Sequence, residues 1–71
     1  MNKYEVKFKW KPYKPNSICS VTIRVPFVPR LGETVIIDVT IDNEEVCIGG
    51  RVKEIINRYI NDNSFIEMVI E

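Results

Sequence analysis

The chain opens on a strict alternation. In "YEVKFKW", residues 4–10, Tyr4, Val6, Phe8 and Trp10 share one side of an extended backbone, while Glu5, Lys7 and Lys9 take the other. A period of two belongs to a strand with one dry face and one wet face. Two readings compete for the rings. A nucleic-acid platform needs aromatics and cations on the same face, so that bases stack while phosphates are neutralised. Here the alternation separates them. Three rings are among the largest sources of buried area that 71 residues offer. The rings are therefore expected in the core. The lysines are then expected on a solvated face, where on an edge strand they would discourage pairing with another chain.

The rest of the chain continues in the same idiom. Pro12 and Pro15 end the first segment, because neither can donate to a ladder, and "KPNS" reads as a turn. Residues 18–25 alternate again, with Cys19, Val21, Ile23 and Val25 on one side. "VPFVPRLGE" interrupts, and "TVIIDVTI" forms a third strand with Val35, Ile37, Val39 and Ile41 inward. "DNEE" turns into a fourth strand holding Val46 and Ile48. Gly49 and Gly50 then supply either a tight hairpin or a bulge where the strand bends.

Residues 51–61 are ambiguous. Val52, Ile55, Ile56, Tyr59 and Ile60 lie at helical spacing, with Glu54 and Arg58 placed as an i,i+4 pair. Four of those five are β-branched, and "NDNS" suits a hairpin into the final strand, residues 65–70, so a bent strand is favoured. The whole composition leans the same way: isoleucine and valine dominate, Leu31 is the sole leucine and alanine is absent. The expectation is one all-β domain over residues 1–71, a small five-stranded antiparallel SH3-like barrel. The alternative is an α+β fold with a helix at about 51–61 packed on an antiparallel sheet.

"VPRLGETVII", followed after a short turn by "GGRVKEI", resembles the proline–x–x–glycine–acid–x–valine turn and bent glycine–x–valine strand of small SH3-like barrels found in bacterial and phage proteins without assigned activity. The resemblance spans about residues 25–56 and implies a fold and no activity. It departs from the SH3 domains of signalling proteins: neither an ALYDY-like opening motif nor a paired tryptophan is present, so a proline-peptide groove does not carry over.

Catalytic chemistry finds few carriers. Without histidine, Ser–His–Asp and Cys–His arrangements and imidazole acid–base work are excluded. Glu44 and Glu45 sit in a polar turn, where carboxylates are ordinarily solvated, and "IGGR" is too short to cradle a dinucleotide. No catalytic residue, cofactor or metal is expected. Cys19 and Cys47 fit no zinc spacing, and both read as reduced, buried thiols, although facing strands would also permit a disulfide. "MNKYEVKFKW" has no continuous apolar run, so no leader is expected, and no stretch approaches the roughly 18 apolar residues of a membrane helix. A cytoplasmic setting follows as the expectation.

Net charge is zero, yet residues 1–15 carry Lys3, Lys7, Lys9, Lys11 and Lys14 against Glu5 alone, and the rest of the chain is correspondingly acidic. Two binding surfaces are therefore candidates. Lys7, Lys9, Lys11, Tyr13 and Lys14 form a basic stretch able to meet an acidic protein or, as the less favoured partner, a nucleic acid. Phe27, Val28 and Leu31 lie in a proline-stiffened loop, expected to plug the barrel end or else to present a contact patch. A non-catalytic interaction or assembly module is the expected function, with protein as partner and self-association through a strand edge included. A weak nucleic-acid-binding barrel is the alternative.

Overall fold

A computed structural model describes residues 4–71; Lys3, counted above with the basic stretch, lies outside the described residues. Five strands are formed: β1 Tyr4–Trp10, β2 Ser20–Val25, β3 Thr34–Ile41, β4 Glu44–Ile60 and β5 Asn63–Ile70. They make one sheet in the order β2-β1-β5-β4-β3, curled into a half-barrel, and no helix occurs among the described residues. The all-β, five-stranded architecture is as expected and is consistent with a small SH3-like barrel.

Three of the four pairings are antiparallel, and the fourth, β1 with β5, is parallel. The reason is directional. Each connection reverses the chain, so odd-numbered strands run the same way, and a fifth strand placed beside the first must lie parallel to it. β1 is thus an interior strand, bonded to β2 on one side and β5 on the other. Its lysines guard no edge, contrary to expectation. The free edges belong to β2 and β3, which are not paired with each other.

β4 settles the ambiguity over residues 51–61. It is one 17-residue strand whose first half pairs with β3 and whose second half pairs with β5. Two devices bend it. A Cβ on Gly50 would lie 2.5 Å from the Ile70 side chain and 3.0 Å from the Glu71 carbonyl oxygen, so only glycine allows the strands to close there. Next to it, the register shifts between Val52 and Glu54, a bulge that leaves Lys53 unpaired. The bulge also explains the helix-like spacing. Val52 and Ile55, three apart, both face inward, and Ile56 faces out opposite Glu67.

The turns are chemically specified. Asp42 and Asn43, at φ 50° and 66°, make the two-residue hairpin between β3 and β4, which requires positive φ at both central positions. Pro15 and Asn16, the latter at φ 67°, form a turn closed by the Ser17 N–H donating to the Lys14 carbonyl at 3.2 Å.

The inner face carries the core: Val6, Phe8, Trp10, Ile37, Val46, Ile48, Val52, Met68 and Ile70. Each large apolar side chain buried this way contributes about 1.5–3 kcal/mol relative to exposure. The Trp10 indole N–H donates to the Ile18 carbonyl at 3.0 Å, which ties the 11–19 loop across the sheet and satisfies the one polar atom of the ring. Phe8 and Trp10 are buried as expected. Tyr4 is not: it is 44% exposed, because β5 begins its pairing with β1 only at Val6 and the sheet's mouth stays open there.

Candidate interaction surface

The mouth of the half-barrel is built by the loop after β2. Its tip is a tight turn in which the Glu33 N–H donates to the Arg30 carbonyl at 3.1 Å and Gly32 takes φ 86°, the conformation a type II turn demands at its third residue. The Arg30 N–H in turn donates to the Glu33 carboxylate. The turn is also pinned to β4. The Gly32 N–H donates to the Val52 carbonyl at 2.8 Å, and the Val52 N–H donates to the Glu33 carbonyl at 2.9 Å. Leu31 rides on this rigid tip at 64% exposure, and Phe27 is 81% exposed. Only Val28 packs against the core.

The expected plug is therefore corrected. Phe27 and Leu31 do not fill the barrel end: a half-open sheet leaves no enclosed end to fill, the pinned turn carries Leu31 outward, and Phe27 stands exposed ahead of it. Tyr4, Phe27, Val28, Arg30 and Glu33 together line an open groove of about 560 Å³. Tyr4, Arg30 and Glu33 join this surface beyond the loop residues that the sequence singles out. Tyr4 belongs to the alternating strand, whose ring-bearing side the sequence places in the core.

The basic stretch is divided by the fold. Lys7 and Lys9 lie on the outer face, where Lys7 stands opposite Glu67 on one side and Thr22 on the other. Glu67 is the sole buried charged side chain among the described residues, at 8% exposure. The Arg58 Nε lies 3.0 Å from its Oε2, yet the N–H is not aimed along that approach, and Oε2 has no well-directed donor. The guanidinium contact holds the Glu67 carboxyl below its ordinary range against the opposing effect of desolvation, and the charges of Arg58, Lys9 and Lys7 add to it. Glu5, Lys7, Arg58 and Glu67 share one groove of about 290 Å³, in which two cations face two carboxylates. Lys11, Tyr13 and Lys14 sit elsewhere, exposed in the loop between β1 and β2. Lys11 and Tyr13 share a groove with Glu71, and Tyr13 and Lys14 share another with Glu44 and Glu45. Folding thus divides Lys7, Lys11 and Lys14 among grooves that also hold carboxylates.

No protein-family model, curated protein or solved structure matches this chain. Its chemistry rests on its own residues. Cys19 is half-buried against the core and Cys47 is exposed; both are free thiols. The expectation of two buried cysteines is corrected for Cys47, whose strand position, opposite Asp38, faces outward. Among the described residues, no group of three or more His, Cys, Asp or Glu side chains is placed to hold a metal ion, and no helix is long and apolar enough to cross a membrane.

Proposed function

We propose that this protein is a non-catalytic interaction module of the cytoplasm that binds another protein through the mouth formed by Tyr4, Phe27, Val28, Arg30, Leu31 and Glu33. One observation carries the reading: Leu31 is held out in water on a turn that four hydrogen bonds fix in place, and Phe27 stands exposed in the same loop. Large apolar side chains on a rigid loop cost free energy in the isolated chain and recover it when a partner covers them. A stiff display also lowers the ordering cost of binding. Arg30 and Glu33 flank the apolar pair and supply a polar rim, the usual composition of a protein-binding patch.

The test is capture of a partner from the source cell by the native chain, by a Phe27→Ser/Leu31→Ser variant and by a Lys7→Ala/Lys9→Ala variant. The mouth variant is expected to lose the partner, and the lysine variant to keep it. Retention by the mouth variant with loss in the lysine variant would overturn the assignment. Because both exposed residues lie outside the core, the variants are expected to melt like the native chain.

A further inference from the structure

We infer that β3 is a self-pairing edge, and that two copies of this chain join there as a twofold-symmetric antiparallel dimer with Ile37 on the symmetry axis. This deepens the reading of the chain as an interaction and assembly module, on which it rests, by naming one partner: a second copy of the chain.

Both free edges of the sheet invite pairing, but only one is left unguarded. β2 is six residues long, carries Arg24 and runs into Pro26. Short length, a cation and a proline are the devices by which edges are kept from pairing. β3 is eight residues long, has neither proline nor lysine nor arginine, and carries one charge, Asp38. Ile36 stands on its outer face at 75% exposure, while Val35, Val39 and Ile41 are only half-covered on the inner face.

The register follows from the hairpin. Ile41 and Glu44 flank the two-residue turn and so exchange hydrogen bonds, and every second residue of β3 does the same with β4. The Val52 N–H donating to the Glu33 carbonyl continues that series. Odd-numbered residues thus spend their backbone groups on β4. The N–H and C=O groups of Thr34, Ile36, Asp38 and Thr40 point to the free edge. Two copies can pair only if even residues meet even residues, which also keeps inner faces on one side. A dyad at Asp38 would oppose two carboxylates, which is unfavourable. A dyad at Ile36 leaves Thr40 unpaired. The dyad at Ile37 pairs Thr34 with Thr40 and Ile36 with Asp38 of the second copy, about eight backbone hydrogen bonds in all. It also sets Val35 against Val39 across the inner face.

A compact monomer of 8.3 kDa exposes about 4,600 Å², and this chain exposes 5767 Å², as expected of an open sheet whose edges are uncovered. An isologous pairing closes on itself and so stops at two copies.

The test is sedimentation equilibrium of the native chain, Ile36→Asp and Ile36→Lys, with melting curves to confirm that each is folded. The native chain is expected to dimerise. Ile36→Asp sets a carboxylate opposite Asp38 of the second copy at two symmetric places and is expected to weaken the dimer about tenfold or more. Ile36→Lys sets an ammonium there and is expected to leave the dimer as tight or tighter. Equal weakening by both variants, or a native chain that stays monomeric at every concentration, overturns the proposal. A monomer that still captures its partner through Phe27 and Leu31 removes the self-pairing alone and leaves the interaction reading in place.

Discussion

Gly49 and Gly50 look equivalent in the sequence and are unequal in the fold. A Cβ on Gly49 would make ordinary contacts, the nearest at 3.8 Å from Ile36, whereas one on Gly50 would strike Ile70 and the terminal backbone. Gly50→Ala is expected to cost about 1–3 kcal/mol as overpacking, and Gly49→Ala far less; urea unfolding of the two variants checks this. Glu67 gives a second prediction. Its folded pKa lies below the ordinary 4.5, so its ionised form stabilises the folded state at pH above that value. The contribution is lost as pH falls from 4.5 through the lowered folded value. Glu67→Gln is expected to flatten the acid limb of a stability–pH curve below pH 4.5 while leaving the core intact. An unchanged acid limb would show that the Arg58 contact does not govern it.

At the level of elements, the alternation in β1 and β3 was legible because strands covered on one face write their geometry directly into side-chain order. β4 was harder, and the cause is Lys53: one unpaired residue shifts the inward series from Val52 to Ile55 and imitates a helical interval. The outward display of Phe27 and Leu31 was not legible, since an apolar loop residue looks the same whether it plugs or projects. For Leu31, what decides it is the pair of bonds from its turn to Val52, a long-range contact that no local pattern announces. The Asp42–Asn43 hairpin is where local chemistry and fold agree most closely, and it yields a prediction of its own. Asn43→Gly is expected to be tolerated or mildly stabilising, and Asn43→Val to cost about 1–2 kcal/mol, because a β-branched side chain resists φ 66°. Thermal melts of both would show the difference.

The molecule as a whole is an open sheet, and its openness accounts for its surface, its mouth and its unpaired rim. Its radius of gyration is 12.4 Å, against about 11 Å for a compact chain of this length. Charge that is lopsided along the chain is interleaved in space where Lys7 and Arg58 line one groove with Glu5 and Glu67. The most direct test of this arrangement is residue-resolved amide hydrogen exchange in dilute solution, where the chain is alone. Interior strands β1 and β5 are expected to exchange slowest, and along β3 the amides of Thr34, Ile36, Asp38 and Thr40 are expected to exchange much faster than those of Val35, Ile37 and Val39. Uniform protection along β3, or fast exchange throughout β1, would contradict an open half-barrel with β1 inside and β3 at its rim.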